Sequence, residues 1–221
     1  MIRWFRILPL AALAAFAVAA TAGPRTYQID QAHSEVGFDI RHFFAKVHGR
    51  FDDYSGTIVF DPANLAASTV EVAIRDSSID TAHEKRDKHL RSQDFFWVEK
   101  YPALTFKSTK VIPGPDSSHF QVAGVLTIRG ITKPVTLDVE YLGMGRVAIG
   151  GNSLGTQAGF TATTTVNRKD WGIVWNRTLD QGGTLLGDEV AIVLNVAAGS
   201  PDPPQPEVAT TPAPAGDKGK R

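Results

Sequence analysis

Histidine and carboxylate side chains crowd one stretch of the chain, His83-Glu84-Lys85-Arg86-Asp87-Lys88-His89. It opens like the zinc-peptidase pattern H-E-x-x-H, in which two histidines one helical turn apart bind the metal and the glutamate acts as base. Asp87 stands where the second histidine belongs and His89 falls on another face, so no metal is expected there. As acid–base machinery, the Arg86-Asp87-Lys88-His89 run keeps an enzyme as the alternative reading. Ser34 lies between His33 and Glu35, but adjacent strand residues point apart, a poor geometry for a catalytic triad. Ser77-Ser78 lacks the G-x-S-x-G elbow, and Gly182-Gly183-Thr184 lacks the lysine and spacing of a phosphate loop, which makes it a turn or bulge. Asn176-Arg177-Thr178 is short enough to match a glycosylation pattern by chance. With no cysteine in 221 residues, thiol catalysis and thiolate metal sites are excluded. No catalytic residue, metal or cofactor is therefore assigned.

The elements that would position such residues fall into three parts. Arg3 and Arg6, the apolar run Ile7 to Ala20 and the small residues Ala20-Thr21-Ala22 read as a cleaved signal peptide over 1–22, which directs the chain to secretion. The apolar run is short of the about 20 residues a membrane span needs, and no cysteine follows the cleavage point to take a lipid. Residues 23–198 form one domain. Residues 199–221, with Pro201, Pro203, Pro204, Pro206, Pro212 and Pro214 among small polar residues, read as a disordered tail. Zero formal charge argues against nucleic acid or an anionic membrane as the main partner.

Within the domain, apolar residues alternate, as in Val36-Gly37-Phe38-Asp39-Ile40 and Val70-Glu71-Val72-Ala73-Ile74. A period of two gives each strand one apolar face, and a chain built this way must close or stack its sheet to hide it. Strands are expected near 26–31, 35–43, 47–60, 69–75, 103–111, 119–129, 134–142, 159–166 and 188–197, with turns at Asp61 to Asn64, Pro113 to Asp116, Gly130 to Pro134 and Gly150 to Asn152. Such spacing fits an all-β barrel or sandwich, and about eight strands close a barrel able to hold one small ligand. One short helix interrupts the pattern between Asp80 and about Trp97, with Thr81 and Glu84 as a capping box, Glu84 and Lys88 paired one turn apart, and Leu90, Phe95 and Phe96 packed on the barrel.

One face of the strands carries Val36, Phe38, Ile40 and His42, then Leu104 and Phe106, Phe120 to Ile128 at every second position, Val135 to Tyr141 likewise, and Val190 to Val196. By residue type alone these either fill a packed core or wall a cavity. His42 continues the inward register at a strand end, where it would meet a polar head group or bond to a loop. Should the interior hold a ligand, Arg41, Lys46, Arg86 and Lys88 are further candidates for contact with a phosphate-bearing end of it. The same alternation would suit an outer-membrane barrel, but the charged helix and the Lys220-Arg221 end fit poorly with a lipid-facing belt.

Several ordered motifs extend over nearly the whole domain: Tyr27-Gln28-Ile29-Asp30 with His33-Ser34, Gly49-Arg50-Phe51, Gly56 to Asp61, Ser78-Ile79-Asp80-Thr81, Arg86 to Leu90, Ser92 to Phe96, Tyr101 to Phe106, Gly124 to Gly130, Asn167 to Gly172 and Gly187 to Val190. Together they resemble the YceI-like family. Trp171 departs from the phenylalanine usual there, and the tail after Ala198 lies outside the pattern. The resemblance implies a lipocalin-like, extended antiparallel barrel of eight strands, periplasmic, binding a long polyisoprenoid or similar lipid in its lumen, often as a homodimer, with no settled catalytic residue. The expected cavity wall is Phe38, Ile40, His42, Phe106, Ile128, Leu137, Val139, Phe160, Ile192 and Leu194. An isoprenoid pyrophosphate, a quinone and a fatty amide present similar chains, so the sequence does not choose among them.

Overall fold

The computed structural model describes residues 23–202; residues 1–22, read above as a signal peptide, and the tail beyond Asp202 lie outside the described residues. The strands are β1 (Arg25–Ile29), β2 (Glu35–His42), β3 (Ala45–Phe51), β4 (Tyr54–Phe60), β5 (Thr69–Arg75), β6 (Ile79–Asp80), β7 (Ala103–Pro113), β8 (His119–Ile128), β9 (Ile131–Ile149), β10 (Asn152–Asn167) and β11 (Leu186–Ser200), with one helix, α1 (Glu84–Arg91), between β6 and β7. All pair antiparallel, and the β1–β11 pairing closes the sheet into a barrel. Six of the eleven are halves of interrupted strands. β1 and β2 lie end to end along β11, β3 and β4 continue one another, and β6 continues β5, so the closed barrel has eight staves.

These interruptions correct the sequence reading and have a common cause. Tyr27 and Ile29 face inward at odd positions, whereas Val36, Phe38 and Ile40 do so at even ones. The short 3-10 turn Gln31–His33 absorbs the extra residue. Its junction is tied to β11 by Ser34, whose hydroxyl donates to the Ala197 carbonyl at 3.1 Å and accepts from the Ala197 N–H at 2.9 Å. The expected single strand 47–60 likewise breaks at Asp52-Asp53, because Phe51 and Tyr54 are both buried and a continuous pleat would put them on opposite faces. Strands expected at 134–142 and 159–166 are much longer, since β9 and β10 run on as a hairpin, and β11 extends past position 198 to Ser200.

The helix is present but shorter than expected and capped differently. His83, not Thr81, is the N-cap, its ring nitrogen accepting from the Arg86 N–H at 3.3 Å. Thr81 is instead used by the buried Asp87 carboxylate, which accepts from the Thr81 N–H at 3.0 Å and from its hydroxyl. Glu84 and Lys88 are exposed, and among the described residues they form no ion pair. Leu90, Phe95 and Phe96 do pack onto the barrel, and Arg91 fastens the helix to the carbonyls of Ser77 (2.8 Å) and Ile79 (2.7 Å).

Candidate lipid-binding lumen

Along the barrel axis runs a cavity of about 500 Å³, within the range of small-molecule sites. Phe38, Ile40 and His42 reach it from β2, Phe106 from β7 and Ile128 from β8. Leu137 and Val139 come from β9, Phe160 from β10, and Ile192 and Leu194 from β11, so every residue expected on the wall lines it. Burial agrees with a hollow interior: Phe38, Ile40, Ile128, Leu137, Ile192 and Leu194 point inward yet are only half-buried. Side chains with no room beside them would be fully covered.

Two glycines help keep the lumen open. A Cβ at Gly49 would lie 2.3 Å from Phe38 Cζ, and one at Gly124 would lie 2.5 Å from Phe106 Cζ. The far ends of the two large rings therefore occupy the space where a side chain at either glycine would stand. At the end away from α1, Phe60 meets Phe160 (5.1 Å between ring centres), Tyr141 (4.9 Å) and Phe120 (6.2 Å), a cluster that fills that end with aromatic carbon.

Polar groups gather at the helix-bearing end, where His42, Thr81, Lys85, Arg86 and His89 join the lining and the exposed Lys85 carries it to the surface. Of the four cations considered for a head group, only Arg86 lines the cavity, and its guanidinium is held by the Thr81 hydroxyl (2.7 Å) and carbonyl (2.6 Å). His42 packs its ring edge-on against Phe43 at 4.6 Å, and among the described residues it makes no hydrogen bond to a loop. His89 pairs with Asp94 at 2.8 Å and sits edge-on to Phe95 (5.0 Å) and Trp175 (4.9 Å). Asp87 faces Thr81 rather than His89, so the two do not form the acid–base pair that the sequence suggested.

The other motifs resolve into structure. His33 turns to Asp30 at 2.8 Å, away from Ser34, and no triad forms there. Gly182 and Gly183, at φ 87° and 88°, close a turn in which the Leu179 N–H reaches the Gly183 carbonyl at 3.1 Å. The Asn176 side chain is committed to the Leu186 backbone at 2.8 and 3.0 Å. Among the described residues, no cluster of three or more metal-ligating side chains occurs.

Sequence reasoning missed the 168–186 segment as part of the wall. Trp171, Ile173, Trp175 and Leu186 all line the cavity, and two tryptophans so close together were the available signal. The strut behind them is Arg168, 4% exposed, which donates to the carbonyls of Ile173 (2.6 Å), Trp175 (2.9 Å) and Gly187 (2.8 Å) and to Asp188 (3.1 Å). Burial pulls the Arg168 pKa down and the Asp188 carboxylate opposes it. Trp171 donates its indole N–H to the Leu126 carbonyl at 3.1 Å, fixing the segment to β8.

The chain and its fold have known relatives. The protein YceI of Escherichia coli O157:H7 is 42% identical over 158 residues, which is 70% of this chain and 80% of that one. The crystal structure of the Campylobacter jejuni YCEI protein superposes with a TM-score of 0.62 at 32% identity, covering 78% of this chain and 96% of that one. A polyisoprenoid binding domain from Saccharophagus degradans, implicated in plant cell wall breakdown, shares the fold at a TM-score of 0.55 and 14% identity, over 79% of this chain and 98% of that one. The family model for the YceI-like domain matches residues 27–198, β1 through most of β11, and the chain belongs to that family.

Proposed function

We propose that this protein holds a long-chain polyisoprenoid lipid, an isoprenoid pyrophosphate or a quinone, inside the barrel for carriage, storage or protection, without chemically changing it. The observation that carries this reading is the apolar cavity of about 500 Å³, whose wall includes Phe60 and Phe160 as well as His42 and Trp175. Each methylene transferred from water into it is worth about 0.8 kcal/mol, so affinity resides in the tail and tolerates variation in the head group. The polar lip formed by His42, Lys85, Arg86 and His89 suits a head group left at the helix-bearing end. The Saccharophagus neighbour, described as polyisoprenoid-binding, supports the ligand class. Residues 1–22 are read as an export signal, with the protein acting in the periplasm after cleavage before Gly23.

The test is mass spectrometry of lipid extracted from protein purified natively from a host that makes isoprenoid lipids. An isoprenoid at near-stoichiometric yield is expected, and lost when Phe106→Asp places a charge in the wall. Protein that carries no lipid, or that keeps it unchanged in Phe106→Asp, refutes the reading. A mature N-terminus at Gly23 in the periplasmic fraction is the matching expectation for export; an intact Met1 in the cytosol would contradict it.

The alternative, turnover of an isoprenoid or quinone substrate, rests on the His89–Asp94 pair at the cavity lip. Its signature is consumption of a prenyl pyrophosphate or quinone by purified protein, abolished in His89→Ala.

A further inference from the structure

The β2–β3 hairpin breaks two local rules at its tip. His42 and Ala45 are paired, which leaves a two-residue turn made of Phe43 and Phe44. Turns this tight need left-handed backbone and favour glycine, asparagine or aspartate. Here Phe43 takes φ 53°, a conformation that bulky side chains rarely adopt. Phe44 is 104% exposed, the most exposed of the large apolar side chains among the described residues. Just behind the turn, Arg41 and Lys46 stand directly opposite each other, an arrangement that costs stability within a sheet. Both are exposed, and among the described residues neither forms an ion pair; Arg41 donates only to the Phe43 carbonyl at 3.0 Å.

Position gives these departures a direction. His42, next to the turn, lines the lumen, and the Phe43 N–H donates to the Leu185 carbonyl at 2.9 Å, so the tip stands at the lip of the cavity. Lys85 and Arg86 lie on the same lip, where Asp94 is engaged by His89; Glu84, next to Lys85, is exposed and does not line the cavity. We propose that the Phe43-Phe44 tip, flanked by Arg41 and Lys46, is a wedge that docks the open end of the barrel onto an anionic phospholipid bilayer. Two rings are too small for a stable protein interface, which buries about 800 Å² per partner. They are enough to enter the headgroup boundary of a membrane, where the cations gathered at this lip add a local attraction to anionic lipid that the zero net charge of the whole chain does not supply. The docked lip would let an apolar ligand pass between bilayer and lumen without crossing water. The inference deepens the lumen reading and rests on it only for what is exchanged.

The test is co-sedimentation of the purified full chain with vesicles of phosphatidylcholine alone or mixed with phosphatidylglycerol. Wild-type protein is expected to pellet with the anionic vesicles and to be released by salt. Phe44→Ser should weaken binding about tenfold, the loss of one buried aromatic side chain. Arg41→Gln and Lys46→Gln should each weaken it about fivefold on anionic vesicles only. Because these side chains are exposed and Phe44 does not line the cavity, the affinity of stripped Phe44→Ser for a detergent-solubilised isoprenoid should equal that of the wild type. Absence of pelleting, or pelleting that Phe44→Ser leaves unaltered, overturns the proposal. So does a wild-type dimer that Phe44→Ser turns into monomer with no vesicle binding, which would make a second copy the occupant. Vesicle docking is read on lipid-stripped protein, so its failure is separable from failure of the lumen to hold an isoprenoid.

Discussion

Replacing Ala162 by phenylalanine separates a hollow interior from a packed one. Ala162 lies on β10 between Val139 of β9 and Leu194 of β11, lines the cavity, and is 7% exposed. In a close-packed core, inserting a ring forces neighbours off their rotamers and costs about 1–3 kcal/mol. In this lumen the added ring extends into void, covering itself and the half-buried Leu137 and Leu194, so lipid-free protein should gain about 1–2 kcal/mol from the apolar area removed from water. The ligand then loses room for about three methylenes, or about 2.4 kcal/mol, which weakens binding about 50-fold. Urea unfolding of stripped protein measures the first effect. Quenching of Trp171 and Trp175, both on the cavity wall, by a quinone with an isoprenoid tail measures the second. Destabilisation together with undiminished quinone binding would refute the reasoning, since it would mean that the interior is full and the ligand sits elsewhere.

Three further outcomes are expected. Asp76, between β5 and β6, is 0% exposed, and among the described residues neither carboxyl oxygen is within full hydrogen-bond geometry of a donor; burial pushes its pKa up to about 7, and the nearby Leu104 N–H offsets only part of that. The folded state therefore binds the proton more tightly than the unfolded chain, and stability falls as pH rises from about 4 through about 7, by up to about 4 kcal/mol. Asp76→Asn should flatten that dependence and raise the melting temperature at pH 8; an unaltered pH profile would count against it. Arg168→Ala leaves three carbonyls of the 168–187 segment without their donor and should cost about 3 kcal/mol, seen as faster proteolysis between Ile173 and Leu186 and a lower denaturation midpoint. Phe43→Gly relieves the left-handed strain of the turn and should stabilise the protein by about 1 kcal/mol in thermal unfolding.

The alternation of apolar residues was enough to identify the strand class and, by parity alone, to place residues from Phe38 to Leu194 on one face, because a pleated strand sends every second side chain the same way. The resemblance of the ordered motifs supplied closure into an eight-stranded barrel. Tertiary structure decided the remainder. Parity is counted within a strand, so it could not foresee the breaks at Gln31–His33 and Asp52-Asp53, where an extra residue resets the inward register. Nor could composition tell a packed core from a hollow one, since the same leucines and phenylalanines serve either. That was decided by the tertiary structure, which leaves a cavity of about 500 Å³ inside the barrel and sets the ring ends of Phe38 and Phe106 over Gly49 and Gly124. The charged run at His83 to His89 looked like chemistry in one dimension, but the fold uses Asp87 to hold Thr81 and turns His89 toward Asp94. Local sequence governs which way a side chain points, whereas the space in front of it depends on strands brought together from distant parts of the chain.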